Sequence, residues 1–281
     1  QSDSKRVEEN YRGFNLKLKK NLLLLGQGRI ASETIKMMIN ENVLESFNFL
    51  SLVSNKKFLE DFYQAYSFIS PHLIRNEKKN EKEIANVIIS ENIDLIISIQ
   101  HPWILSKEIL KMVNYQAFNL HNAKLPDYKG YHSISHALLN NDKYYFSTIH
   151  QMINKVDQGT IIKEKKISIS KNDDAISLYE KTVLNSVELM RDFFLKKLYL
   201  KKIRKKVLPE GKFYKKNSLQ KLANLSNQKD AELLDRTSRA LFFPPYNTAF
   251  KIVGLETIPV LPYKRKSFNL KKCLPVNLHH F

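Results

Sequence analysis

Short apolar runs and stretches of helical spacing take turns along the chain as far as Leu200. Asn21 to Leu25 is apolar and ends in Gly26-Gln27-Gly28; Ile30, Ile35, Met38 and Ile39 then recur with the period of one helix face. Phe47 to Val53, Asp94 to Ile99 and Ala117 to Leu120 are further apolar runs, short and continuous rather than alternating, as expected of strands buried on both faces. Ile84 to Glu91 and Ser106 to Met112 supply helical spacing between them. This alternation predicts an α/β fold with a doubly wound, mostly parallel sheet.

The pattern changes further on. Thr160 to Ser170 alternates loosely as a strand, and Asp174 to Leu200 carries a long helical stripe (Ile176, Tyr179, Val183, Val187, Met190, Phe194) that Asn172-Asp173-Asp174 could cap. Lys196 to Lys216 then holds ten Lys or Arg against one acid, Glu210, and includes the breaker Pro209-Glu210-Gly211. Beyond it the pattern predicts a helix around Ala231 to Ala240, a turn at Phe243-Pro244-Pro245-Tyr246, and strands at Thr248 to Val253 and Thr257 to Val260. The chain thus divides into an arm at 1–20, a main α/β domain at 21–200, a basic linker at 201–219 and a small C-terminal α+β appendage at 220–281.

Polar chemistry gathers in Phe118 to Thr160. Asn119 and His121 alternate with Leu120, so on a strand they share one face while Leu120 enters the core. An imidazole suits proton transfer near neutrality, and an amide can donate to an oxyanion. Asp157, in Val156-Asp157-Gln158-Gly159, sits in a turn from which a carboxylate could reach the imidazole or an amine nucleophile. The set is competent for acyl transfer to an amine. Taken singly, His121 could cap a strand and Asp157 could make an Asx turn.

Taken together, Asn119-Leu120-His121, Leu125-Pro126-x-Tyr128-Lys129-Gly130, Thr148-Ile149-His150-Gln151-Met152 and Asp157-Gln158-Gly159 resemble the signature of the formyltransferases that use 10-formyltetrahydrofolate. The resemblance covers about Asn21 to Leu200. It implies a Rossmann-like catalytic domain, Asn119, His121 and Asp157 as the catalytic trio, and no metal. It further implies that the folate lies between Gln100–Leu105 (Gln100, His101, Trp103, Ile104, Leu105) and Val156–Asp157. Lys124, Tyr128, Lys129, Tyr131 and His132, in the loop after the catalytic strand, are the expected acceptor contacts. Many relatives have Arg where Lys129 stands, and Lys offers a point charge instead of a bidentate fork.

Acceptors in this family are initiator methionyl-tRNA, glycinamide ribonucleotide or a nucleotide-linked amino sugar. Gln220 to Phe281 is short for the five-stranded barrel of the tRNA enzymes. Arg239 to Tyr246 resembles instead the C-terminal unit of the sugar N-formyltransferases. The implied acceptor is a dTDP- or GDP-linked 3- or 4-amino-dideoxy sugar for a surface polysaccharide, and the implied assembly a homodimer; the alternative acceptor is methionyl-tRNA.

Composition changes this picture little. The net charge of +18 raises a nucleic-acid reading, with Lys196 to Lys216 as the strip of a basic RNA-binding protein without catalysis. The excess is mostly Lys among many Asn and Ile, as an AT-rich gene would encode, so a solvated basic surface that steers a small anion is the preferred expectation, and no nucleic-acid partner is expected. Gly26, Gly28 and Ala31 fit a dinucleotide fingerprint, but Ser54-Asn55-Lys56-Lys57 after the second run offers no acid for a ribose, so the glycines read as a tight turn. His132 and His136, four apart, lack a third ligand. The single cysteine, Cys273, requires no oxidising compartment; no apolar run approaches a membrane span and the N-terminus lacks a signal core, so a soluble cytoplasmic protein is expected.

Overall fold

A computed structural model describes residues 19–67, 72–75, 80–204, 206–244, 246 and 248–265. Nearly all of the predicted N-terminal arm, Cys273 and Pro245 of the predicted turn lie outside the described residues. The chain forms two units: residues 1–120, 151–154 and 190–202 make the first, and residues 121–150, 155–189 and 203–281 the second.

In the first unit, β1 (Lys20–Gly26), β2 (Phe47–Ser54), β3 (His72–Arg75), β4 (Leu95–Ile99) and β5 (Ala117–His121, whose last residue counts with the second unit) pair in parallel in the order β3-β2-β1-β4-β5. The helices α1 (Gly28–Asn40), α2 (Lys56–Ala65), α3 (Glu81–Ser90) and α4 (Lys107–Met112) connect them. This is the doubly wound arrangement that the continuous apolar runs predict. Every residue of β4 is buried, and Leu23, Leu25, Ile96 and Ala117 pack with Ile84, Val87, Ile109 and Leu110 of α3 and α4 in one apolar cluster. Burying such side chains is worth about 1.5–3 kcal/mol each.

Local signals end the elements where the sequence suggests. Ser106 caps α4 by accepting from the Ile109 N–H at 3.4 Å, and Asn80 caps α3 by accepting from Glu83. The helix α2 was not predicted: Lys56-Lys57 is its first turn, capped by Asn55, whose Oδ1 accepts from the Phe58 N–H at 2.9 Å. At the β1–α1 turn a Cβ on Gly26 would stand 3.0 Å from the Ala31 Cβ, so the small residues there let helix and strand approach closely.

The second unit is built on β6 (Lys129–Gly130), α5 (Ser133–Leu139), β7 (Tyr144–Gln151, whose last residue counts with the first unit), β8 (Ile161–Ser168), α6 (Ala175–Leu195, which counts with the first unit from Met190) and α7 (Ala231–Leu241). The strands β7 and β8 are antiparallel. Asp174 and Ser177 cap α6 reciprocally through each other's N–H, at 2.9 and 3.0 Å; α6 stops at Leu195, short of the predicted Leu200. The predicted basic linker does not stand alone: β9 (Phe213–Tyr214) pairs in parallel with β6, Leu208 N–H donates to Gln158 O at 2.9 Å, and a Cβ on Gly211 would lie 1.9 Å from Pro126 O. The last described strands, β10 (Phe250–Val253) and β11 (Glu256–Pro259), form a hairpin. Among the described residues no helix is long and apolar enough to cross a membrane.

Candidate active site

His121 ends β5 and is held by the loop that follows. That loop is tied down in the second unit: Asn122 O accepts from the hydroxyls of Ser133 and Tyr145, Asn122 Oδ1 accepts from Ser186 Oγ at 3.0 Å, and Ala123 O accepts from Thr148 Oγ1 at 2.7 Å. His121 Nε2 lies 2.7 Å from Tyr128 O. A carbonyl can only accept, so Nε2 carries the proton and Nδ1 is the basic nitrogen. Nδ1 lies 3.9 Å from Asp157 Oδ2.

Asp157 has a left-handed backbone (φ 51°), a conformation Asp tolerates better than most residues. Its Oδ1 meets His150 Nε2 at 3.4 Å, and its Oδ2 accepts from the Gly130 N–H at 3.4 Å. Burial alone would raise the Asp157 carboxyl. A proton on His121, the hydrogen bond and charge of His150 and the Gly130 N–H outweigh it and hold the group well below the usual carboxylate range. The result is a fixed anion beside a basic imidazole nitrogen. A proton arriving at Nδ1 forms an imidazolium already faced by a carboxylate.

His150 is the residue that sequence reasoning missed as a member of this group. It is 3 % exposed on β7, and the signal was there: a histidine among the buried residues of the strand's second half. Asn119 is half-buried on β5, two residues before His121 and on the same strand face, with Phe118 and Leu120 buried on either side.

The loop after β4, in the first unit, is built differently. Gln100 is left-handed (φ 55°), and Gln100 Oε1, His101 Nε2 and Trp103 Nε1 are all buried without a hydrogen-bond partner. Burial lowers the His101 pKa to about 4. The strand ends that flank this loop are those of β1 and β4, where the strand order reverses and where open α/β sheets bind ligands. Gln27 N–H donates to Ile99 O at 3.2 Å, and a Cβ on Gly28 would meet Gln100 Oε1 at 3.1 Å. Ile104 is 59 % exposed, whereas Leu105 belongs to the apolar cluster, so its side chain serves the core. Val156, in the second unit, is 37 % exposed.

The loop residues expected at an acceptor take separate positions. Lys129 is 5 % exposed with no ion-pair partner among the described residues. Tyr131 is 43 % exposed; His132 Nε2 donates to Lys216 O at 2.7 Å. The Tyr128 hydroxyl donates to Asp142 at 2.5 Å, and Lys124 pairs with Asp127 at 3.0 Å. No cluster of three or more His, Cys, Asp or Glu that could hold a metal occurs among the described residues.

The formyl transferase family model matches residues 20–192. The chain is 28 % identical over 224 residues to the methionyl-tRNA formyltransferase of Buchnera aphidicola subsp. Acyrthosiphon pisum (strain Tuc7), a match covering 74 % of this chain and 69 % of the relative. Its fold is similar to a 4-N formyltransferase from Francisella tularensis (TM-score 0.70, 19 % identity, 86 % of this chain and 96 % of that one). It is also similar to the N-formyltransferase from Helicobacter canadensis solved in complex with folinic acid and dTDP-3-aminofucose (TM-score 0.62, 16 % identity, 85 % and 86 %). At these identities the structural matches speak for the fold.

Proposed function

The chain belongs to the formyl transferase family and is a formyltransferase, and we propose that it moves the formyl group of 10-formyltetrahydrofolate to the amine of a nucleotide-linked amino-dideoxy sugar. The observation that carries the chemistry is the Asp157 carboxylate held by His150 and Gly130 against the basic Nδ1 of His121. In this reading His121 Nδ1 takes the proton that the amine loses as its nitrogen bonds to the formyl carbon. Asp157 steadies the imidazolium so formed, and His121 gives the proton up as the carbon–nitrogen bond to the donor breaks. Asn119 donates its amide N–H to the formyl oxygen. His150 acts as a positioning residue, through Asp157.

The folate supplies an activated formyl carbon when bound. The unpartnered Gln100 Oε1, His101 Nε2 and Trp103 Nε1 suit a ring with donors and acceptors along its edge, which is the chemistry of a pterin. Lys129, buried without an anionic partner, suits a phosphate of the acceptor. The sugar acceptor is supported by the similarity, over 85 % of this chain, to the N-formyltransferase solved in complex with dTDP-3-aminofucose. The 28 % identity to a methionyl-tRNA formyltransferase favours a second reading, transfer to charged initiator tRNA. Incubation with 10-formyltetrahydrofolate and a panel of dTDP-, GDP- and UDP-linked amino sugars, beside methionyl-tRNA, separates the two. Mass spectrometry should show a formyl adduct on a nucleotide sugar; formylation of methionyl-tRNA alone would overturn the sugar reading.

A further inference from the structure

The stretch 128–130 holds both reacting groups through its backbone. Tyr128 O accepts from His121 Nε2 at 2.7 Å, and two residues on the Gly130 N–H donates to Asp157 Oδ2 at 3.4 Å. The amide between them is engaged as well, since the Lys129 N–H donates to Lys212 O at 3.0 Å in the β6–β9 pairing. Whatever fixes this stretch therefore fixes the His121 tautomer and the Asp157 carboxylate together. A strand of two residues is a short support for both, so the side chain that anchors it decides how firmly they are held.

That anchor is Tyr128, which ends on the turn between α5 and β7. Its ring is 7 % exposed and lies almost parallel to Tyr214, with centroids 5.6 Å apart and 9° between planes; Tyr214 is itself stacked with His136 at 3.8 Å. The Tyr128 hydroxyl donates to Asp142 Oδ2 at 2.5 Å and accepts from Asn140 Nδ2 at 2.8 Å. Burial, with the Asp142 bond adding to it, holds this hydroxyl above the usual phenol range, so it stays a donor. The turn is fixed in its own right. Asn141 closes α5 in a left-handed conformation (φ 57°), its N–H bonding to Leu138 O at 3.1 Å and the Asp142 N–H to Ala137 O at 3.0 Å. The hydroxyl expected to meet an acceptor is thus committed to the protein itself.

We propose that Tyr128 and Asp142 are positioning residues for formyl transfer: the hydroxyl–carboxylate bond at one end of the ring locks the 128–130 backbone at the other, and through it the Nε2-protonated tautomer of His121 and the place of Asp157. This rests on the assignment of His121 and Asp157 to the reaction and not on which amine accepts. The test joins steady-state kinetics to nitrogen-15 NMR of the full chain at alkaline pH, where the His121 ring is neutral; its signals are those that His121→Asn removes. Tyr128→Phe keeps the ring and the carbonyl but loses the hydroxyl, and Asp142→Ala loses the carboxylate. Each should lower kcat about ten- to a hundredfold, the range that a small misplacement of reacting groups gives. KM for acceptor and for 10-formyltetrahydrofolate should move less than twofold, and the His121 signals should shift toward an average of its two neutral tautomers. Asp142→Asn keeps an oxygen for the hydroxyl and should restore most of both. Combining Tyr128→Phe with Asp142→Ala should be no slower than the slower single variant, because both remove the same bond. If Asp142→Ala does not fold, Tyr128→Phe decides. A rise in acceptor KM with kcat unchanged would return Tyr128 to acceptor binding and overturn the proposal. So would activity losses that follow only the fraction folded, or His121 signals unmoved in Tyr128→Phe while His121→Asn is inactive. Should His121 have no part in the reaction, His121→Asn would keep its turnover, and the proposal would fall with that assignment. A tautomer shift in Tyr128→Phe supports the anchor even where no amino sugar is formylated, a result that counts against the acceptor alone.

Discussion

Two polar regions of this molecule stand in opposite states. Around Asp157 the groups satisfy one another: Oδ1 has His150, Oδ2 has Gly130 and faces His121, and the other nitrogen of His121 is bonded to Tyr128 O. In the loop after β4, three buried polar atoms within four residues have no hydrogen-bond partner. An unsatisfied buried polar group costs about 1–3 kcal/mol, so the first region meets its own polar needs and the second leaves that cost standing. On the proposed function, that contrast separates groups that carry out a reaction from groups that hold a reactant, since reacting groups gain by being fixed beforehand.

The sharpest way to break the comparison is His121→Asn. The amide keeps a donor toward Tyr128 O but has no basic nitrogen, so formyl transfer should fall about a thousandfold or more while the melting temperature changes little. A folded variant with near-normal turnover would remove His121 from the reaction. His150→Leu should act more gently: it takes one hydrogen bond from a charged group, worth about 1.5–3 kcal/mol. That corresponds to about a ten- to hundredfold loss in rate. The Asp157 carboxyl should rise with it, readable by carbon NMR of the side chain, and His150→Gln should recover part of both. A rate loss without any movement of the Asp157 titration would mean that His150 is packing only.

Trp103→Phe tests the other region. Removing an orphaned indole N–H relieves its desolvation cost, so the free protein should be equally or slightly more stable, while affinity for folinic acid should weaken about tenfold. Opposite signs for stability and binding are the signature of a group kept for a ligand. A less stable protein with unchanged folate affinity would place Trp103 in the core.

The sheet of the first unit was legible because parallel strands buried on both faces leave continuous apolar runs, as at Asp94 to Ile99. The helix α2 was not, since Leu59 and Phe62 are its buried side chains and the rest reads as polar surface; the Asn55 cap was its one visible mark. The β6–β9 pairing was hidden for another reason. It is made by backbone groups of a highly charged segment, and side-chain pattern carries no trace of backbone bonds. In the site, Asn119, His121 and Asp157 were legible as residue types at fixed spacing, but the tautomer of His121 was not, because the carbonyl that sets it belongs to a residue seven positions away. His150 lies in the buried stretch Ser147–Gln151 of its strand, where its neighbours read as core.

The smallest effect expected is a pH dependence of stability, and it compares the two regions on equal terms. His101, in the loop after β4, and His136, in the second unit, both titrate near pH 4: burial lowers each, with the nearby His132 and Lys212 charges adding to the effect at His136. A histidine lowered in the folded state binds its proton more readily when unfolded. Stability is therefore whole above the unfolded value of about 6.5 and falls as pH drops toward 4, by at most about 1.4 kcal/mol per pH unit for one such group. Asp157, held low, acts in the same direction at lower pH and keeps its share until pH falls below the ordinary carboxylate value of about 4. Urea unfolding between pH 7.5 and 4.5 should show the loss, His101→Phe and His136→Phe should each remove part of the slope, and equal stability at pH 7 and 5 in the unaltered protein would refute it. The two histidines differ in their partners, since His136 Nε2 lies 2.8 Å from Ser218 Oγ and His101 Nε2 has none. Saturating folinic acid should therefore change the part of the slope that His101→Phe removes and leave the His136 part as it was.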